Sequence, residues 1–353
     1  MIRLAPNLCA TAAAVCMATL VGCGGSKDDK VHPSAPVSVS GVQQGALNAA
    51  NAYRSDAQVP ALTFQSALNK AAIDHAGYQA IRGGSLTHYE STDGAPGGPA
   101  DTGNALYRGV GLTQRIRAAN GGSDLFLSNV YYEGISSVPG VPSIRSLWNT
   151  VYHRLPLMRH EAQVFGFGDA ELARATHPGS VPGVNGYATT EYAGDLDMPA
   201  TITLSYWPKI GQTGVDTGFS TDSETPDPLS SGNTGQSPGT PDIDVCGPPI
   251  HVICPTTKSW DTIIASIRVQ GSSTNLSVVI LCGGANVPSG ASRDNRLDIG
   301  EIFLLPTPGA PLSPTTVHVV QVVATTVNTA PTGPSNAETY TIGSSPAWTF
   351  TTK

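Results

Sequence analysis

The pattern of apolar residues changes near residues 197–199, and this change constrains the fold more than any other feature of the chain. Before it, apolar residues recur at helical spacing between long loops. After it, short runs of Val, Ile and Thr are separated by Gly, Pro, Asn and Ser. Helical spacing predicts amphipathic helices, whereas β-branched runs bounded by turn residues predict strands. We therefore expect an α+β chain, with the helices in residues 41–199 and an all-β part in residues 200–353.

The same patterns place individual elements. Residues 42–55 and 66–82 are rich in alanine and predict two helices, the second stopped by Gly83 and Gly84. Residues 222–241 are heavy in Ser, Pro, Gly and Thr and follow neither period, which is typical of an insertion between elements. Apolar runs in the second part predict the strands of an antiparallel sandwich, at residues 262–269, 275–281, 301–305, 316–327 and 348–351.

The N-terminus predicts export. Residues 9–22 form an apolar run that is too short to span a bilayer and suits the hydrophobic region of a signal peptide. The run ends in small residues directly before Cys23, which resembles the bacterial lipobox, where the thiol is acylated and the preceding segment is cut off. We predict a signal peptide over residues 1–22, a lipidated Cys23 and a flexible tether over residues 23–40. An ordinary signal peptide, or a buried helix, with an incidental cysteine is the alternative.

The net charge of the chain is consistent with an exported protein. The lipid on Cys23 makes a membrane the expected partner. The chain has 19 Lys and Arg against 26 Asp and Glu, for a formal net charge of -7. The sequence contains no basic patch, so it does not indicate a nucleic-acid partner. In bacterial lipoproteins, an aspartate directly after the lipidated cysteine favours retention at the inner membrane. Gly24 occupies this position, so we expect the lipidated protein to be located at the outer membrane.

Ordered segments of the first part carry a family resemblance. Residues 59–68 read Val-Pro-Ala-Leu-Thr-Phe-Gln-Ser-Ala-Leu, and residues 86–90 read Leu-Thr-His-Tyr-Glu. Residues 130–134 read Val-Tyr-Tyr-Glu-Gly, and residues 148–154 read Trp-Asn-Thr-Val-Tyr-His-Arg, ahead of Phe-Gly-Phe-Gly at 165–168. In this order they resemble the CAP superfamily (cysteine-rich secretory proteins, antigen 5, pathogenesis-related class 1), also called the SCP domain. The resemblance covers most of residues 42–200.

The resemblance implies an α-β-α sandwich with a central cavity. His88 and His153 would face this cavity with Glu133 nearby, and these three residues are the candidates for binding a ligand. Two imidazoles and a carboxylate can hold a divalent metal such as zinc and leave a position open, so His88 and His153 are also candidate metal ligands. A hydrogen-bonded polar cavity that shapes a ligand groove without a metal is the alternative. The second cavity glutamate of animal and plant members has no counterpart at residues 149–152.

Two further histidine positions have structural interpretations. His75 lies at helical spacing within the second predicted helix and is expected to pack there. His160 and Glu161 follow the His153 segment too closely to form a separate site, so we expect a solvated turn.

The second part holds the remaining cysteines. Export permits a disulfide, and Cys246 with Cys254 can close a short loop; a pairing of Cys254 with Cys282 is the alternative. A zinc site from His251 and these cysteines lacks paired Cys-x-x-Cys ligands and is less favoured. Residues 206–215 resemble the opening of bacterial Ig-like modules, so we expect the sandwich to be Ig-like.

Three functions remain open at the level of sequence, because no catalytic motif is specific enough to assign a reaction. The first is a surface-anchored protein that binds a small apolar, lipid or peptide ligand or a surface partner, with the second part as a spacer or adhesion surface. The second is an extracellular hydrolase that uses a metal held by His88 and His153, with Glu133 as ligand or general base. The third is a structural envelope protein with a vestigial cavity.

Overall fold

The structure is a computed structural model. It describes residues 40–125, 130–183, 188–194, 204–224, 226–229, 244–255, 258–284, 287–307, 310–328 and 338–353. The predicted signal peptide, Cys23 and the tether up to residue 39 lie outside these residues. Val37–Lys353 form one compact unit. Within the described part, no helix combines the length and the apolar character that a membrane crossing requires.

The first part consists of helices and one mixed four-stranded sheet. Its strands lie in the order β1-β3-β4-β2; β1 is parallel to β3, and the other pairs are antiparallel. The two predicted helices are confirmed, as α1 and α2. The elements are α1 (Gly41–Asp56), β1 (Thr63–Phe64), α2 (Ser66–Arg82), α3 (Leu112–Ala119), β2 (Val130–Ser136), α4 (Pro142–Trp148), α5 (Arg154–Met158), β3 (Ala162–Asp169), α6 (Ala170–Thr176) and β4 (Ala188–Gly194).

The Phe-Gly-Phe-Gly segment of β3 explains how helices cover both faces of this sheet. Successive strand residues point to opposite faces. Phe165 and Phe167 are fully buried in a core formed with α1, α4 and α5. Gly166 and Gly168 face α2, where an added Cβ would overlap the helix backbone near Leu68 and Ile73. The strand therefore gives one helix layer its core and lets the other approach closely, which confirms the predicted α-β-α sandwich.

The second part is a sandwich of two five-stranded sheets. We call the sheet in the order β12-β11-β13-β9-β5 the inner sheet, and the sheet in the order β10-β14-β16-β6, with β15 beside β14, the outer sheet. The elements are β5 (Ser205–Trp207), β6 (Gln212–Val215), β7 (Phe219–Ser220), a 3-10 turn (Thr221–Ser223), β8 (Val245–Cys246), β9 (Ile250–Ile253), β10 (Lys258–Val269), β11 (Val278–Cys282), β12 (Ser292–Arg293), β13 (Glu301–Pro306), β14 (Val317–Asn328), β15 (Glu338–Ile342) and β16 (Trp348–Thr352).

A continuous apolar core between the two sheets holds the sandwich together. Ile250 and Val252 of the inner sheet pack with Val320, Val322 and other buried residues of the outer sheet. The five strands predicted from β-branched runs correspond to β10, β11, β13, β14 and β16. The α+β class is thereby confirmed, and the Ig-like character of the sandwich stays a prediction.

The inner sheet is covered on both faces. All six residues of β13 are buried, which one packed face cannot produce because strand side chains alternate. The second face meets the helices of the first part: the ring of Trp207 lies edge-on to Trp148 and Tyr53, with centroids 5.3 and 5.6 Å away. The inner sheet is therefore packed onto the first part through an aromatic interface at Trp207.

The cysteines do not pair as predicted. Cys246, Cys254 and Cys282 are buried and form no disulfide with one another. Cys246 lies in a core next to the first part, whereas Cys254 and Cys282 lie in the sandwich core. The alternative pairing also fails: β13 separates β9 from β11. Two strand spacings are about 10 Å, beyond the roughly 7 Å between Cα atoms that a disulfide can bridge.

Candidate functional site

A buried ion pair lies at the centre of the candidate site. The Nδ1 atom of His88 lies 2.7 Å from Oε2 of Glu133, and Arg115 donates to the other carboxylate oxygen. The Arg115 side chain is fully buried and that of Glu133 is 4% exposed, whereas that of His88 is 41% exposed. The resemblance implied that Glu133 lies near His88; the structure shows a direct contact between them, with a guanidinium that the sequence interpretation did not include.

Three different elements bring these groups together. His88 lies on the long connection between α2 and α3, Arg115 on α3, and Glu133 on β2. Arg115 also donates through Nη1 to the carbonyl oxygen of His88, at 2.9 Å. The guanidinium therefore fixes the backbone that carries the imidazole as well as the carboxylate that faces it.

The neighbouring basic side chains keep Glu133 ionised. Burial alone would raise the pKa of this carboxyl group, but Arg115, His75 and His88 together hold the pKa well below its ordinary value. An ionised carboxylate only accepts hydrogen bonds, so the Nδ1 atom of His88 must carry the proton in this pair. A neutral His88 ring then presents Nε2 as a hydrogen-bond acceptor.

A second pair of a histidine and a carboxylate, His75 with Glu90, is buried next to the pair of His88 with Glu133. Nδ1 of His75 lies 3.0 Å from Oε1 of Glu90, and Nε2 lies 3.1 Å from the carbonyl oxygen of Thr87. The same Nε2 atom is 3.6 Å from Oε1 of Glu133. His75 thus packs within α2, as predicted, and also contributes to the electrostatic environment of Glu133.

His153 lies against His88, with ring centroids 6.3 Å apart and planes inclined by 24°. Its Nδ1 atom is 3.1 Å from Oε1 of Glu224, a residue of the second part whose side chain is fully buried. Glu224 falls inside the segment predicted as an insertion, directly after the 3-10 turn. Each predicted cavity histidine therefore has its own carboxylate, one from each part of the chain.

A cavity of about 440 Å³ opens beside these residues. His88 and Glu133 line it, while His153 lies next to its wall. Most of its surface comes from aromatic and apolar side chains of the first part, with arginines on one side. The lining residues are His88, Tyr89, Leu112, Tyr131, Tyr132, Glu133, Tyr152, Leu155, Pro156, Arg159 and Arg296.

The arginines hold two of the tyrosine rings of the cavity. Arg159 lies over Tyr132, 5.3 Å from the ring centroid, and Arg296 lies over Tyr152, at 5.4 Å. Burial raises the pKa of Tyr132 to about 12, so its hydroxyl remains protonated at neutral pH. The Tyr152 hydroxyl donates to Oδ2 of Asp294 at 2.6 Å. Arg296 and Asp294 belong to the second part, so the cavity wall is shared between the two parts.

The side chains around His88 and His153 fit the predicted metal centre only in part. Catalytic zinc sites in proteins have three protein ligands. Within the described ranges, no group of three or more His, Cys, Asp or Glu side chains is arranged to hold a metal ion. Glu133 is unsuited as the third ligand, because its two oxygens already bind His88 and Arg115.

Two other histidine assignments are settled by their surroundings. His160 is buried, with Nε2 at 2.9 Å from Oγ of Ser205, and burial with the nearby Arg54 lowers its pKa to about 4. The predicted turn is present at His160 and Glu161, but His160 is buried and the prediction that the turn is solvated is wrong. His251 stacks on Phe303 at 4.0 Å, on the face of the inner sheet opposite Cys254 and Cys282. The zinc site of His251 with these cysteines therefore does not form.

Sequence reasoning missed the charged partners of the site. Arg115 and Glu224 come from segments remote from the histidines near which they lie, and Arg296 comes from a segment remote from Tyr152. Glu224 also lies in a stretch whose composition indicates a loop. Charge balance was the one available signal, since a buried carboxylate such as Glu133 needs a cation.

Comparisons with known proteins concern the first part of the chain. A sequence model of the cysteine-rich secretory protein family, CAP, matches residues 47–177. A crystal structure of an extracellular protein containing a SCP domain from Bacillus anthracis str. Ames is similar at 17% sequence identity and a TM-score of 0.32, over 44% of this chain and 41% of that chain. No curated protein matches the chain. Residues 47–177 are therefore a domain of the cysteine-rich secretory protein family, the CAP family.

Proposed function

We propose that this chain is an exported CAP-domain protein, anchored to the cell envelope by a lipid on Cys23, whose cavity binds a small, largely apolar ligand. The observation that carries the proposal is the cavity of about 440 Å³, which lies within the usual range for small-molecule sites. The apolar run before Cys23 and the small residues next to it support export and lipidation.

The lining favours a ligand with an apolar body and a hydrogen-bond donor. Tyr131 and Tyr152, with Leu112 and Pro156, offer apolar surface to a flat or extended body. His88 offers Nε2 as an acceptor, because its Nδ1 is committed to Glu133. A hydroxyl or amide N–H at one end of the ligand would complete this contact.

A dye titration tests ligand binding. Anilinonaphthalene sulfonate, followed by its fluorescence, is expected to bind the full chain at a single saturable site and to be displaced by decanol or by tetra-alanine. The variant Leu112→Trp fills the cavity and is expected to weaken dye binding by about tenfold or more. Ile264→Trp is the matched control, since Ile264 is 71% exposed on the outer sheet. Equal dye binding by both variants would refute a ligand site in this cavity and favour the structural alternative.

A metal-dependent hydrolase is the second candidate, and one observation favours it. His88 and His153 lie against each other, and each ring has a carboxylate on Nδ1, as metal-ligating histidines often do. Glu133 is an unsuitable general base, because Arg115 keeps its proton affinity low. Zinc added in the same titration series decides between the two: calorimetric binding that is lost in both His88→Ala and His153→Ala supports the metal site.

A further inference from the structure

We propose that Glu224 is a positioning residue through which the second part of the chain completes the cavity of the CAP domain. It holds the backbone that carries Tyr152 and His153 and favours the proton on Nδ1 of the His153 ring. The effect on ligand affinity rests on the function proposed above, whereas the positioning itself does not.

Glu224 collects the backbone N–H groups of one turn. Its Oε2 accepts from the amide of Val151 at 2.8 Å, and its Oε1 accepts from the amides of Tyr152 and His153 at 2.7 and 3.1 Å. The carboxylate is fully buried, where such bonds are not weakened by competing water. Three consecutive amides on one carboxylate fix the path of this turn, and that carboxylate comes from the second part of the chain.

The same carboxylate favours one tautomer of the His153 ring. Oε1 of Glu224 lies 3.1 Å from Nδ1 of His153, and Oγ1 of Thr150, whose hydroxyl donates to the carbonyl oxygen of Leu147, lies 3.5 Å from the same nitrogen. Both oxygens act as acceptors towards Nδ1, so Nδ1 carries the proton. Nε2 of the neutral ring is then the acceptor, as it is in His88, and the two adjacent rings have the same tautomer.

Further contacts from the second part hold the Tyr152 side chain. Asp294 binds the hydroxyl at 2.6 Å, and Arg296 covers the ring. Together with Glu224, they fix the main chain, the ring and the hydroxyl of a residue that lines the cavity. The second part therefore acts on the cavity directly, beyond the predicted role of a spacer.

NMR of the isotope-labelled full chain tests the positioning. In the wild type, the His153 ring is expected as the Nδ1-protonated tautomer, and the amides of residues 151–153 are expected to exchange slowly. In Glu224→Gln, these amides should exchange about tenfold faster or more, and the His153 ring should become a mixture of tautomers. A change in tautomer distinguishes positioning from a general loss of stability.

Asp222→Asn is the matched control, because Asp222 is exposed in the 3-10 turn directly before Glu224 and this substitution removes the same charge as Glu224→Gln. This control should leave the amide exchange of residues 151–153, the His153 tautomer and the affinity for the dye unchanged. Glu224→Gln should lower the affinity for the dye by about tenfold. An Nε2-protonated His153 in the wild type would overturn the proposal even if the variant does not fold. Unchanged dye binding by Glu224→Gln would overturn the effect on affinity; absence of dye binding by the wild type would instead refute the proposed function.

Discussion

Arg115 is the residue on which the charge balance of the candidate site depends. Two buried carboxylates, Glu90 and Glu133, lie within 4 Å of its guanidinium, and His75 is the other group between them. Buried carboxylates without a cation are strongly unfavourable. The resemblance predicted the pairing of His88 with Glu133, but no local pattern predicted that α3 would supply its counter-ion.

The lowered pKa of Glu133 predicts how its contribution to stability depends on pH. Because the folded chain keeps this carboxyl group ionised to a lower pH than the unfolded chain does, its contribution is complete above the ordinary pKa of 4.5 and is lost as the pH falls further. Glu133→Gln should lower the free energy of unfolding by about 3–5 kcal/mol at neutral pH, since it leaves Arg115 without its closest partner. Below pH 4.5 the difference from the wild type should shrink.

Urea unfolding over a series of pH values measures this difference. Glu171→Gln is the control, because the Glu171 side chain is 72% exposed, and it should follow the wild-type curve. Parallel curves for the wild type and Glu133→Gln would contradict the assignment of Glu133 as the group responsible.

The elements were predictable to the extent that their information is local. The second predicted helix, 66–82, coincides with α2, and the β-branched runs gave β10 and β14 to within a few residues. Periodicity carries such information because it reflects which face of an element is buried. His160 was misassigned for the converse reason: its partner, Ser205, is remote in the chain, and no local pattern reveals that a turn is covered.

The glycines of β3 give a prediction at the level of the element. Gly166→Ala should lower the free energy of unfolding by about 1–3 kcal/mol or more, because the new Cβ would overlap the backbone of α2 and force the helix away. Thermal unfolding followed by circular dichroism measures this cost. Gly183→Ala is the control, since a Cβ there meets nothing within 4 Å. Equal melting temperatures for the two variants would show that α2 does not pack this closely on β3.

At the level of the whole molecule, the two parts predicted from the change in pattern are joined through a large buried interface. Arg159 pairs with Glu301 through two hydrogen bonds of 3.0 Å, and Arg145 pairs with Asp216. The sequence predicted two kinds of secondary structure but not this contact, because hydrophobic residues at an interface have the same pattern as those of a core. The trace of the interface in the sequence is the apolar run at residues 302–306 of β13, a strand in which every residue is buried.

Unfolding of the full chain should therefore be cooperative across both parts. Trp207→Ala removes the ring that packs on Trp148 and should lower the free energy of unfolding by about 3–5 kcal/mol for both parts together. Hydrogen exchange of the backbone amides in α2 and in β14 checks this. The exchange rates should rise by the same factor in both elements. Ile264→Ala, on the exposed side of the outer sheet, should have little effect. Separate changes in α2 and β14 would show that the parts unfold independently.

The two-sided packing of the inner sheet also has a consequence for how a ligand reaches the cavity. Many binding proteins admit their ligands by a hinge motion that separates two lobes. Here such a motion would strip Trp207 from its aromatic neighbours and break the pair of Arg159 with Glu301. We therefore expect admission through rotation of a lining side chain such as Tyr89, on the nanosecond timescale of rotamer changes, while the main chain around the cavity stays fixed.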